Sequence, residues 1–231
     1  MKKKFFMMAF VSLFAVAALC SCSKDDENEN ETGAIQNIIT AAVENGASYS
    51  EIIDTVKAEV EDYYGSDAII ARAPYTNGGF TLTLPASLSA QYLSAADYIP
   101  QGITVSNPNV KGGSVGLYAY KSGFEAGEFY YGTNNCMGQL IYVDGDVIIT
   151  GSSTVTYGAT FTIKINVHLK EGWNMVYAKL TPKANDSYET ELTIKVPAGA
   201  KWHFDSDYSL SEFSLYTQFP SLLRGNFVSG N

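Results

Sequence analysis

The chain reads as an all-β protein, an antiparallel sandwich of two sheets, and three observations predict it. Phe161, Ile163, Ile165, Val167 and Leu169 alternate without a break against Thr162, Lys164, Asn166, His168 and Lys170. That is the period of two of a strand with one face buried and one wet. Shorter runs of the same kind recur between turn-forming pairs such as Asn45-Gly46, Asn77-Gly78 and Asp144-Gly145, which supply the positive φ that tight hairpins need. The composition agrees: 16 Tyr and 12 Phe stand against 2 Trp, and Tyr, Phe and Thr suit a pleated surface. Hydrophobic residues make up 46% of the 231, enough for a sizeable core and too many for wholesale disorder.

Ala34 to Asp67 fits two readings. Ile35, Ile38, Ile39 and Ala42 make a helical stripe that Gly46 would end, and Ile52, Ile53, Val56, Val60, Tyr63 and Tyr64 keep helical spacing behind Ser50 as N-cap. Val56, Ala58 and Val60 also alternate against Lys57, Glu59 and Glu61, as a half-buried strand does, so periodicity leaves both open. Thr76-Asn77-Gly78-Gly79 is a turn, after which Phe80, Leu82 and Leu84 point inward and Pro85 ends the strand. Leu88 to Ile99 carries the spacing of a short helix in Leu88, Tyr92, Ala95 and Ala96. Ile103–Ser106, Val115–Tyr120 and Phe129–Tyr131 read as strands.

Two hairpins are expected next. One joins Leu140–Val143 to Asp146–Thr150 around Asp144-Gly145. The other joins the long alternating run to Val176, Ala178 and Leu180 around Lys170-Glu171-Gly172. Glu189–Val196 and Lys201–Phe204 add two more runs. No fixed-period repeat and no Pro- or Ser-rich linker divides the chain, so residues 34–231 are expected to form one sandwich with Greek-key connections. Two small sandwiches dividing near 108–113 are the second reading.

The N-terminus is an address. Lys2, Lys3 and Lys4 precede an apolar stretch from Phe5 to Leu19, the n-region and h-region of an export signal, too short and wrongly flanked for a membrane span. Leu19-Cys20-Ser21-Cys22 resembles the lipobox of bacterial lipoproteins, with an apolar residue three before Cys22 and a small residue immediately before it. The resemblance implies a signal peptide over 1–21 and a lipid on Cys22. Acyl chains contribute about 0.8 kcal/mol per buried CH₂, so several of them would hold the protein on a membrane.

Residues 22–33 then form a solvated tether whose acidic run, Ser23 to Glu31, buries nothing. An acidic run directly after such a Cys resembles the surface-export signal of Bacteroidetes lipoproteins. It implies an outer-membrane, outward-facing location, with a plain spacer and a periplasmic face as the alternative. Formal charge is −9, and loss of the three leader lysines makes it −12; such a chain has no electrostatic reason to bind nucleic acid.

Within residues 42–85, the order strand, Asn45-Gly46 turn, IDTVKAEV, AIIARAPYTNGG and FTLTLPA resembles transthyretin-like or carboxypeptidase-regulatory β-sandwich domains of surface proteins in the same bacteria. In those, a decorated turn precedes a strand ending in nG.F.L.LP. The resemblance implies strands rather than helices over the ambiguous stretch.

Several catalytic motifs are missing: there is no His-Glu-x-x-His, no phosphate-cradling glycine loop and no Cys-x-x-Cys beyond the leader. Cys136 has no partner for a disulfide and reads as a buried small hydrophobe. His168 sits on the polar face of its strand. His203, Asp205 and Asp207 share one face of an extended strand and are the weak candidates for a metal; no cofactor is expected. Asp144-Gly145-Asp146 lacks the further ligands that calcium wants and is explained by a turn. Glu125, Glu128, Glu189 and Glu191 are available for paired-carboxylate chemistry, which only distances can define.

The remaining feature is aromatic. Tyr118, Tyr120, Phe124, Phe129, Tyr130 and Tyr131 gather around Lys121-Ser122-Gly123. Tyr118 and Tyr120 lie opposite Val115, Leu117 and Ala119, so a wet second face would display them as a stripe, whereas two covered faces would make them core. Tyr118, Tyr120, Tyr130 and Tyr131 are therefore the candidate ligand-binding residues. The expectation is a lipid-anchored surface protein that is not an enzyme, capturing glycans or adhering to surface proteins. The alternative is a fimbrillin-like pilus subunit or assembly lipoprotein, which Arg72-Ala73-Pro74 resembles at its Arg-directed maturation site.

Overall fold

The computed structural model describes residues 32–61, 67–95, 99–157 and 159–206. The expected leader 1–21, the Cys22 lipid site, the tether up to Glu31 and Asp207 lie outside the described residues. The compact unit that begins at Glu31 is the one described here.

Its strands are β1 (Ile38–Ala42), β2 (Thr55–Glu61), β3 (Asp67–Pro74), β4 (Gly79–Thr83), β5 (Ile103–Val105), β6 (Gly112–Lys121), β7 (Phe124–Thr133), β8 (Cys136–Val143), β9 (Val147–Tyr157), β10 (Ala159–Leu169), β11 (Gly172–Lys183), β12 (Ser187–Thr193) and β13 (Lys201–Asp205). Among the described residues, helical structure is confined to two 3-10 turns, Gly46–Tyr49 and Ala90–Tyr92. The protein is thus an all-β sandwich. The ambiguous stretch resolves into strands because burial follows a period of two: Ile39 and Ala41 turn inward while Ile38 is 52% exposed, which a helical stripe would have placed beside Ile39. Val56, Ala58 and Val60 are likewise sealed in the core.

Two hydrophobic cores share their central strands. The first lies between a β3-β2-β6-β7-β13 layer and a covering layer of β1 and β4. A parallel bridge from Val43 to Trp202 joins β1 to β13. Phe80, Phe129, Trp202 and Phe204 pack ring against ring inside it, with centroids 5.1–5.7 Å apart, the tilted and edge-on spacing aromatic rings prefer. The second core fills the space between β8-β11 and β9-β10, with Ile141, Val143, Val167, Leu169 and Val176 at its centre. Leu140, Tyr142, Trp173 and Met175 face the first core from the same strands, β8 and β11.

That double burial overturns both expected hairpins. β10 pairs with β9 and β12, not with β11, and β8 pairs with β11, β6 and β7, not with β9. Each short turn therefore arches from one layer to the other across the second core. A short connection at or beside a glycine serves either purpose. What distinguishes the arch is the unbroken buried run from Trp173 to Ala178, the mark of a strand covered on both faces. Asn174, fully buried, fastens the bend: its Oδ1 accepts from Lys170 N at 3.0 Å, and its Nδ2 donates to the Lys170 and Gly172 carbonyls at 2.7 and 3.0 Å. Asp146 accepts from Lys170 Nζ and Glu171 N on the outside. Because β11 crosses over in this way, β12 returns to lie parallel to β10, the exception to the expected antiparallel order.

Candidate functional site

The outer face of the β2-β6-β7-β13 layer is where the predicted residues meet. Alternation along β6 buries Val115, Leu117 and Ala119 and turns Tyr118 and Tyr120 outward, where both are half-buried. Cross-strand register sets Lys57, Tyr118, Glu128 and Asp205 side by side in one row. At the usual interstrand spacing this row is roughly 14 Å long. Arg72 continues it on β3. The next row along the strands carries Thr55, Tyr120 and Glu125.

A bulge makes this arrangement. Pairing of β6 with β7 shifts between Ala119 and Tyr120, so Ala119 faces Gly127 while Tyr120 faces Glu125. The extra residue rotates Glu125 onto the face of Glu128, which simple alternation would forbid. Gly127 has φ 148°, and a Cβ there would fall 2.1 Å from the Asp205 carbonyl oxygen. Glycine at the bulge is thus what lets β13 close against β7.

The tyrosines are held individually. The Tyr118 ring lies over Gly116, whose absent side chain leaves the space: a Cβ there would come within 2.5–2.7 Å of the ring and hydroxyl. Tyr120 donates to Glu59 Oε1 at 2.8 Å, and Lys57 Nζ sits 3.1 Å above its ring centroid, a cation–π seat. Burial and Glu59 push the Tyr120 hydroxyl well up, so it remains a donor. Tyr130 stacks on His203 with centroids 5.0 Å apart. His203 Nε2 lies 3.3 Å from the Gly132 carbonyl and its Nδ1 3.3 Å from Glu44 Oε2. Tyr131 goes elsewhere. It packs against Trp202 and Tyr177 on the core side, as a residue next to Tyr130 on a strand must.

Carboxylates crowd the same face. Burial first, then Asp205 and Glu125, pushes Glu128 up to about 7. Burial, with Glu59 and Asp67, also raises Glu125. Among the described residues, no ion pair engages Glu59, Glu125 or Glu128. The face runs on into an open cleft of about 320 Å³ between Glu44, the Thr133-Asn134-Asn135 turn, and Lys201 with His203 on β13.

The other candidates are dispersed. Glu189 lies on the far layer, paired with Lys164 at 2.8 Å and Lys183 at 3.5 Å. Cys136 is buried, and burial raises its thiol. His203 and Asp205 do share a face, but among the described residues no three His, Cys, Asp or Glu come together closely enough to hold a metal ion. Arg72-Ala73-Pro74 lies within β3, where Ala73 is buried and paired with Val56. Sequence reasoning missed Lys57, Glu59 and Gly116, and their alternation with Val56, Ala58 and Leu117 was the signal available.

Fold and face together define an all-β sandwich bearing a flat tyrosine and carboxylate surface. Set beside known protein families, curated proteins and solved structures, the chain matches none.

Proposed function

We propose that this is a lipid-anchored receptor on the outer surface of a Gram-negative cell that captures glycans on the Tyr118–Tyr120–Tyr130 face without transforming them. The observation that carries the reading is the face itself: tyrosine rings held against an open sheet, with Glu59, Glu125 and Glu128 between and around them. A sugar ring offers an apolar face to stack on such a plate, and its hydroxyls donate to carboxylates. Tyrosine loses little side-chain freedom in doing so. An open face of this kind does not sequester a reacting bond from water, which favours capture over catalysis. The setting comes from the likeness of Leu19-Cys20-Ser21-Cys22 and the acidic run after it to surface-exported Bacteroidetes lipoproteins.

The full-length chain in detergent micelles, passed over immobilised host and dietary glycans, tests this. Saturable binding to at least one glycan, weakened roughly tenfold by Tyr118→Ala and by Tyr130→Ala, is expected. A heat-resistant ladder of multimers together with no glycan binding would instead mark a pilus-type subunit.

A further inference from the structure

The two outer edges of the large sheet are built differently. β3 carries Asp67, Arg72 and Pro74, the charges and proline that discourage edge-to-edge pairing. β9 carries none: Val147 to Tyr157 contains no charged residue and no proline. β5 covers this edge only at Ile149–Gly151. On the covered stretch the even-numbered residues present their backbone to the edge. Ile148 N donates to Ser106 Oγ, Ser106 N to the Ile148 carbonyl, and Ser152 N to the Gly102 carbonyl. Alternation then directs the N–H and C=O of Thr154 and Thr156 to the same side, where no strand pairs with them among the described residues.

We propose that this edge pairs with the same edge of a second copy of the chain, antiparallel and about a two-fold axis at Val155. In that register Thr154 of each copy exchanges both backbone hydrogen bonds with Thr156 of the other. The paired segments are uncharged and self-complementary, as a two-fold interface requires. Side chains fit the register on both faces. Thr154 and Thr156 already bond Thr162 and Thr160 across the β9–β10 ladder at 3.0 and 3.4 Å, and the partner's threonines extend that polar ladder. Val155, half-buried opposite Phe161, meets its own counterpart at a non-hydrogen-bonded position, where strands approach to about 4.5 Å between Cα atoms. An interface of one strand is small and weak in dilute solution. Confinement to a membrane surface would raise its occupancy, and two copies would double the glycan contacts.

Cysteine cross-linking of the full-length chain decides the matter. The non-hydrogen-bonded spacing lies within disulfide reach, so Val155→Cys should give a disulfide-linked dimer under mild oxidation. Ile148→Cys, on the fastened stretch of the same strand and 44% exposed, should not exceed the background of the unsubstituted chain, whose Cys136 is buried. Thr154→Pro, which removes one edge N–H and is tolerated on an open edge, should cut the Val155→Cys dimer at least fivefold while leaving the circular dichroism spectrum unchanged. No dimer from Val155→Cys, equal dimer from both cysteine variants, or a dimer indifferent to Thr154→Pro would each overturn the proposal.

Discussion

Replacing Glu128 by Gln should stabilise the protein at alkaline pH and leave it unchanged in acid. Glu128 sits half-buried between Tyr118 and Asp205, and burial with Asp205 and Glu125 lifts its carboxyl to about 7 from an ordinary 4.5. A raised carboxyl means that the folded chain holds a proton that the unfolded chain has released. Stability from this group is therefore complete below about pH 4.5 and is lost as pH rises towards 7. Each tenfold in the protonation equilibrium is about 1.4 kcal/mol, so the loss is on the order of 3 kcal/mol at pH 8. Gln cannot ionise and escapes it. Urea denaturation of the wild type and Glu128→Gln at pH 4, 6 and 8 reads the difference, because groups that titrate alike in both proteins cancel. The advantage of the variant should grow from near zero at pH 4 to roughly 2–3 kcal/mol at pH 8. A difference that stays constant with pH would mean that Glu128 titrates as a solvated carboxylate, and that the crowding ascribed to this face is absent.

Two further substitutions test how the face and the arch are held. Gly127→Ala places a methyl against the Asp205 carbonyl at a strained φ; it should cost more than about 2 kcal/mol in thermal unfolding and expose backbone amides of β13 to hydrogen exchange before those of β11. Asn174→Ala leaves the Lys170 amide and the Lys170 and Gly172 carbonyls without their buried partner. A loss of about 2–4 kcal/mol in denaturant unfolding is expected, with the Trp173 fluorescence environment altered.

Much of the fold was legible because alternation is a local property. Val56, Ala58 and Val60 on β2, Phe80 and Leu82 on β4 with Leu84 just beyond it, and Ile165, Val167 and Leu169 on β10 are buried as their spacing marks, with Phe161 and Ile163 half-buried. Pairing is not local. Lys170-Glu171 bends the chain from layer to layer, and the only sequence trace of this is that both parities between Trp173 and Ala178 are apolar or amide rather than charged. The face followed the same division. Tyr118 and Tyr120 were readable from their parity against Leu117 and Ala119, and adjacency alone separates Tyr131 from Tyr130. Glu125 was not readable, because it stands three positions before Glu128, an odd spacing, and only a bulge of β7 against β6 brings the two onto one face. Nor does any local signal place β13 beside β7, a pairing between segments some seventy residues apart.

If the Tyr118 face binds glycans as proposed, calorimetric titration of the full-length chain with the tightest-binding soluble oligosaccharide detects it. Run beside Tyr118→Ala and the control Ile148→Ala, exposed on β9 at the other end of the strand order, it should show one saturable site that weakens about tenfold in the first variant and persists in the second. Absence of heat with every oligosaccharide, or binding that Tyr118→Ala leaves intact, would mean that this face does not capture glycans.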